Sequence, residues 1–357
     1  MKVCYFGAYD PNYIRNMVIR KGLVQNGIGY VECHVKQSNF HWLFVNFLLL
    51  LKWLSIKKDF STVIVGETET VFVPFARLLC NIWRKRLILD AFFSYYDMAV
   101  NDRKMTKAGS FAARRYHFFD ELGCRLADRI LLDTKHHAQY FSDEFNVPAS
   151  KIDVVRVGAD ETIYFPKVTT PVPHDKFLVL FTGTYIPLHG IETIISAANI
   201  LKDEAIDFLL IGDGQTKDDV LRLTQNLSLT NVRFVHFVPE KELAEYINKA
   251  DLCLGIFGST KKAQRVIPCK IYEAIACAKP IVTMDSPAIR ECFTDGENIA
   301  LCKPFDPDSL SKKIMELKNN PILRAKIAQD GYKLFVENFT PKHVVAPLVD
   351  ILISGKS

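Results

Sequence analysis

From one end to the other, the chain alternates short apolar runs with helical stretches, and that alternation restricts it to one broad class of fold. KVCYF (2–6), YVECHV (30–35), TVIVG (62–66), RLILDA (86–91), RILLDT (129–134) and IDVVRV (152–157) make a first series. FLVLFTG (177–183), DFLLIGDG (207–214), VRFVHFV (232–238), DLCLGIF (251–257), KPIVTM (279–284) and NIALC (298–302) make a second. Continuous apolar runs separated by helices are how the strands of a parallel sheet read when both faces are covered. Between the series, FPKVTTPVPHDK (165–176) has Pro and Thr but no apolar period, as a linker does. The prediction is an α/β chain of two doubly wound domains, 1–170 and 171–340, with a helix in 341–357 packing back on the first. A length of 357 residues suits two cores better than one.

Charge is unevenly placed. Residues 1–170 hold 23 Lys and Arg against 17 Asp and Glu, whereas 171–357 hold 22 against 23. The basic residues are dispersed and no recognition motif accompanies them, which argues against a nucleic-acid partner. Nine cysteines, an odd number with no CxxC pair, fall mostly in apolar runs and suggest neither a zinc site nor a disulfide framework. The opening MKVCYFGAY reads as a strand and a Gly turn, not as a signal peptide. Residues 40–56, FHWLFVNFLLLLKWLSI, are mostly apolar but are interrupted by His41, Asn46 and Lys52. Two readings stand: a core helix, or a helix lying on a membrane surface with Trp42, Trp53 and the lysines up to Lys58 as anchors.

In open parallel sheets, ligands bind beyond the carboxyl ends of the strands. Gly7 ends the first run, where a ligand loop and a plain strand-to-helix turn both fit; no GxGxxG spacing follows it. FTGTYIPLHGIETII places Gly183 at a strand end and Gly190 before a helix, whose N-terminus suits an anion. IGDGQ supplies Gly212 and Gly214 at the next strand end. In RVIPCKIYEAIACAKPIVT (265–283), Pro268 opens a helix. Cys269, Lys270 and Ile271 then offer free N–H groups and one ammonium to a diphosphate. Glu273, one turn on, can take two hydrogen bonds from a ribose diol, or can simply interact with the helix dipole.

The order FTGTYIPLHGIETII, LLIGDGQ, NVRFVHFVP, ADLCLGIF, KIYEAIACAKPIV, IRECFTDGENIALC resembles the retaining glycosyltransferases of family 4 over residues 177–340. The resemblance implies a GT-B fold, two Rossmann-like domains facing across a cleft, the second holding a nucleotide sugar and the first an acceptor. Glu273 matches the second Glu of the family's Glu-(seven residues)-Glu motif and is expected to grip the donor ribose. The first is Arg265 here, which would contact a phosphate or a carboxylate-bearing sugar, or face solvent. Thr184 and His189 stand where the family has Arg and Lys, so the phosphate cation is expected from Lys270 first, or from Arg265, Lys261 or Lys262. Val238 and Pro239 match the loop that brackets the base.

In the first half the family's acceptor-side His is missing from LDAFFSYYDMAVNDRK (89–104). Asp97 is a substitute polar group, or part of a buried hydrogen-bond network. The resemblance implies transfer with retention from a UDP- or GDP-linked sugar to a glycan or lipid-linked acceptor, with Asp97, Lys270 and Arg265 as catalytic candidates. No metal or further cofactor is expected. A cytoplasmic protein, peripheral at the inner face of the cell membrane through residues 40–58, fits this picture. A catalytically silent nucleotide-sugar-binding paralogue and a sugar-nucleotide epimerase on the same fold are the alternatives.

Overall fold

The computed structural model describes residues 1–36, 42–67, 70–167 and 176–354. They form two compact units: residues 1–157 with 340–357, and residues 158–339.

In the first unit, β1 (Lys2–Gly7), β2 (Gly29–His34), β3 (Thr62–Val65), β4 (Arg86–Asp90), β5 (Arg129–Leu132) and β6 (Ile152–Val154) form one parallel sheet in the order β2-β1-β3-β4-β5-β6. The order reverses beside β1, which sets the carboxyl ends of β1 and β3 side by side. The interiors of β1, β3, β4 and β5 are buried, as their apolar runs require, whereas the edge strands β2 and β6 are mostly half-buried. Helix α1 (Ile14–Gln25) joins β1 to β2. Helices α2 (Trp42–Ile56), α3 (Val73–Trp83), α4 (Phe111–Leu126) and α5 (Lys135–Phe145) contribute to one core with the sheet.

Both readings of the 40–56 run describe a face of α2; residues 40 and 41 lie outside the described ones. Val45, Leu49 and Trp53 enter the core, while Leu43, Phe47, Leu51 and Leu54 face outward. Trp53 is a correction to the anchor expectation. It is fully buried, packing edge-on against Phe60 at 5.1 Å, Trp83 at 5.9 Å and Phe6 at 6.2 Å between ring centroids. Trp42 remains exposed. Among the described residues no helix is long and apolar enough to cross a membrane; α2 has 15 residues where about 20 are needed.

In the second unit, β7 (Phe177–Thr182), β8 (Ile206–Ile211), β9 (Val232–Val235), β10 (Leu252–Leu254), β11 (Ile281–Met284) and β12 (Ala300–Cys302) are again parallel, in the order β12-β11-β10-β7-β8-β9. This is the dinucleotide-fold order, with its reversal between β7 and β10. Around it lie α6 (Ile191–Ile200), α7 (Lys217–Asn226), α8 (Glu240–Lys249), α9 (Cys269–Ala276), α10 (Pro307–Asn319) and α11 (Pro321–Asn338). The last helix, α12 (Pro341–Ser354), belongs to the first unit and packs on α1. Gly22 permits the approach: a Cβ there would sit 2.2 Å from the Pro341 carbonyl oxygen and 2.4 Å from Val345 Cγ2.

The division between units falls at Val157/Gly158 rather than near 170. Residues 158–167 belong to the second unit because Asn248 holds them. Its Oδ1 accepts from Lys167 N–H at 2.8 Å and its Nδ2 donates to the Phe165 carbonyl at 3.1 Å. Most of the expected linker, 168–175, lies outside the described residues.

Candidate functional site

The second unit gathers its unusual chemistry at the point where its strand order reverses. Gly183 leaves β7 with φ of 135°, a conformation that favours glycine. Gly212 leaves β8 beside it, so close that a Cβ there would meet the Gly183 carbonyl oxygen at 1.9 Å. Gly214 likewise has no room for a side chain, its Cβ position lying 2.7 Å from the Tyr185 carbonyl oxygen. The three glycines therefore let the ends of two adjacent strands stand in contact, leaving backbone rather than side chains at the crest.

Helix α9 projects into the same place. Pro268 caps it, and the eight-residue helix is buried through Lys270, Ile271, Tyr272 and Glu273. Lys270 runs over the face of Phe181 on β7, with Nζ 3.9 Å from the ring centroid. It ends against Gly183: a Cβ on that residue would lie 2.8 Å from Nζ and 3.3 Å from His189 Cε1. Only 7% of Lys270 is exposed and, among the described residues, its Nζ has no hydrogen-bond partner. A cation–π contact with Phe181 and the charge of Glu273 offset only part of its desolvation, because a buried ammonium needs hydrogen-bond partners. Burial accordingly pushes the Lys270 ammonium down to about 7, against the pull of the nearby Glu273. Burial pushes the Glu273 carboxyl up to about 7, with Lys270 opposing and Glu240 reinforcing the rise. The site thus holds two ionisable groups that both titrate near neutrality, one turn apart at the start of a helix.

His189 donates from Nδ1 to the Thr184 carbonyl, and its ring stands edge-on to Phe181 at 5.8 Å. The structure therefore brings Gly183, Thr184, His189, Gly212, Gly214, Lys270 and Glu273 into one neighbourhood. Cys269 and Ile271 flank Lys270 on α9. Val238 is half-buried and Pro239 exposed, between β9 and α8, whose N-cap is Pro239. Arg265 is half-buried at the end of the 3-10 turn Lys262–Gln264.

Two neighbours escaped sequence reasoning. Phe181, under Lys270, is one apolar strand residue among many and carries no signal. Asp213 accepts from Lys217 Nζ at 2.7 Å and lies 3.1 Å from His236 Nδ1. The Lys217 hydrogen bond holds the Asp213 carboxyl below its usual range. The acid inside IGDG was the available cue.

In the first unit, Gly7 ends β1 with φ of 135° and accepts from Val35 N–H at 3.2 Å. Asp97 is wholly buried; Asn101 Nδ2 donates to its Oδ1 at 2.9 Å and its own N–H donates to Ser94 Oγ at 3.0 Å. Ser94 in turn donates to Asp120, which also accepts from Tyr96 N–H. Burial pushes the Asp120 carboxyl up to about 6. The buried-network alternative describes these surroundings. At the end of β4, Asp90 pairs with Arg15 at 2.8 Å, both wholly buried, and Arg15 also donates to the Val155 and Arg156 carbonyls. That lock ties β4 to the chain beyond β6, and nothing in the local sequence announced it.

The geometry around Lys270 lies within a stretch that matches a known family. Residues 167–334 match the family model of glycosyl transferases group 1. The Lys270–Glu273 cluster falls inside the matched stretch. A glycosyltransferase of Methanocaldococcus jannaschii described as uncharacterised is 27% identical over 161 residues, 45% of this chain and 43% of that protein. The D-inositol 3-phosphate glycosyltransferase of Thermomonospora curvata is 24% identical, covering 57% of this chain and 51% of its own length. These matches span about half the length of each relative. The lipopolysaccharide core biosynthesis glycosyltransferase LpsE of Rhizobium meliloti is 20% identical over 70% of both chains. Among solved structures, Anabaena HepE in complex with UDP superposes with a TM-score of 0.73, at 16% identity and 99% coverage of both chains. A sucrose-phosphate synthase from Thermosynechococcus elongatus superposes at 0.77, with 14% identity, 99% of this chain and 100% of that one. The matched stretch is thus part of a chain with the GT-B fold.

Proposed function

We propose that the chain is a retaining glycosyltransferase that moves a sugar from a UDP- or GDP-linked donor to a glycan or lipid-linked acceptor, without a metal ion. One observation carries this reading: a buried Lys270 ammonium with no hydrogen-bond partner among the described residues, at the strand-order reversal, with Glu273 one turn behind it. Such an arrangement is costly when empty and is satisfied by a dianionic ligand whose other end carries a diol. The group 1 match and the UDP-glucose complex of HepE support the ligand class.

In this reading Lys270 and the α9 N–H groups meet the diphosphate, whose charge grows as the bond from the anomeric carbon to the phosphate oxygen breaks. The acceptor oxygen bonds to the anomeric carbon on the same face and its proton passes to the departing diphosphate oxygen. Glu273 holds the ribose, the loop at Val238 and Pro239 brackets the base, and Arg265 stands toward the sugar. An acceptor carried by lipid places the enzyme peripherally at the inner membrane face, in contact through residues 40–58. The silent-paralogue reading draws on Arg265, Thr184 and His189, which depart from the family pattern. It predicts binding without turnover.

Calorimetry with UDP-, GDP-, ADP- and CMP-sugars between pH 6 and 9 tests the donor seat. One class is expected to saturate, with affinity greatest near neutrality. Above pH 7 Lys270 must take up a proton to bind, so affinity falls toward about tenfold per pH unit. Below pH 7 Glu273 must lose one to accept both hydroxyls as a carboxylate. Affinity that keeps rising through pH 9, or no saturable binding in any class, would remove the assignment.

A further inference from the structure

The outward faces of α2 and α3 make a surface that neither the core nor the donor site uses. On α2, Leu43, Phe47, Leu51 and Leu54 recur at helical spacing and are 57, 53, 51 and 44% exposed. On α3, Leu78 and Ile82, one turn apart, are 55 and 59% exposed. The two helices approach where the Trp53 and Trp83 rings pack edge-on at 5.9 Å, and Leu54 and Ile82 are their exposed neighbours in sequence. A run of exposed apolar side chains across two helices marks an interaction site.

Charge indicates what covers it. Residues 42–59 and 70–89 contain seven Lys and Arg against one acid, the exposed Asp59, and Arg77 is paired with Asp128 at 2.7 Å. Lys58 and Arg84 are exposed near the junction, and Lys57 Nζ lies 5.2 Å from the Trp83 ring centroid. A second copy docking through the same face would set this rim of like charge against itself. An anionic lipid surface instead meets both features, with acyl boundary for the apolar stripe and headgroup phosphate for the rim.

We propose that α2 and α3 together seat the chain on an anionic bilayer, through Leu43, Phe47, Leu51, Leu54, Leu78 and Ile82, with Lys58 and Arg84 at the headgroups. This deepens the membrane contact proposed above and rests on it; α3 joins the surface and Trp53 leaves it.

Co-sedimentation of the full chain with vesicles tests the surface, comparing phosphatidylcholine alone with phosphatidylcholine containing phosphatidylglycerol. Wild type should bind the anionic vesicles, and raised salt should release it. Leu43→Ser/Leu51→Ser, Leu78→Ser/Ile82→Ser and Lys58→Glu/Arg84→Glu should each lower binding by about tenfold or more. All six positions are exposed, so melting temperature and nucleotide-sugar affinity should stay at the wild-type values. The two apolar pairs lie on different helices, so either one tests the surface if the other unfolds. Equal binding by wild type and every variant overturns the surface while leaving membrane contact standing. No binding of anionic vesicles by wild type overturns both. A dimer that Leu43→Ser/Leu51→Ser dissolves assigns the face to a second copy and overturns the lipid assignment.

Discussion

Lys270→Met should raise the melting temperature of the empty protein while removing most of its affinity for a nucleotide sugar. The two effects share one cause. In the empty protein Lys270 Nζ is buried against Phe181 and Gly183 with no hydrogen bond to replace its water. Methionine fills the same channel without the desolvation cost, and replacing buried charge by apolar groups of similar volume is neutral or stabilising by about 1–4 kcal/mol. On a nucleoside diphosphate the same ammonium makes a charge-assisted contact, whose loss costs about 3 kcal/mol, on the order of a hundredfold in affinity. Thermal melts with and without donor read both effects. A lower melting temperature for the empty variant would mean that Lys270 supports the fold. An undiminished donor-induced shift would remove it from the site.

The stability of the empty protein should also pass through a local minimum near neutrality. The folded Lys270 titrates near 7, below its ordinary 10.5, so the unfolded chain binds more protons between those values and stability rises with pH across that window. The folded Glu273 titrates near 7, above its ordinary 4.5, so the native state binds more protons between those values and stability falls as pH rises across it. Both slopes point to pH 7. A bound donor should flatten the minimum, because it restores partners to both groups.

Glu273→Ala should weaken donor binding by about 3 kcal/mol, on the order of a hundredfold, if its carboxylate takes two hydroxyl hydrogen bonds. The ribose is remote from the breaking bond, so the loss should appear mainly in KM, with kcat changed much less. Lys270→Met should instead lower kcat as well, because its charge acts on the departing diphosphate. Glu273→Gln, close in shape, should fall between wild type and Glu273→Ala. Calorimetric affinity left unchanged in Glu273→Ala would cancel the ribose assignment and return Glu273 to the bland role of a carboxylate near a helix N-terminus.

The contrast between α9 and α2 shows which parts of this molecule its sequence made legible. Lys270 and Glu273 were visible because ionisable residues inside an otherwise apolar helix, just after Pro268 and between two strand runs, have few inert explanations. Their partner Phe181 was not, because it precedes Lys270 by a whole Rossmann half and only strand order brings it near. Strand order itself is a long-range property: the two sheets reverse at different places though their runs of strands read alike. In α2 apolar residues far outnumber Asn46, Lys52 and Ser55, so periodicity could not decide that Trp53 points inward and Leu54 outward. The Pro- and Thr-rich segment marked a boundary about a dozen residues late, because Asn248, on a distant helix, captures the backbone at Phe165 and Lys167.

The most direct test of transfer follows the anomeric proton. A donor that saturates the protein by calorimetry is incubated with a membrane extract as acceptor, in excess EDTA, and the product is read by proton NMR. The expected result is release of the nucleoside diphosphate, with the sugar in the product keeping the anomeric configuration it had in the donor. A product of opposite configuration would contradict retention, activity that returns only with Mg²⁺ would contradict the metal-free reading, and a tightly bound donor that is never turned over would leave a binding protein in place of an enzyme.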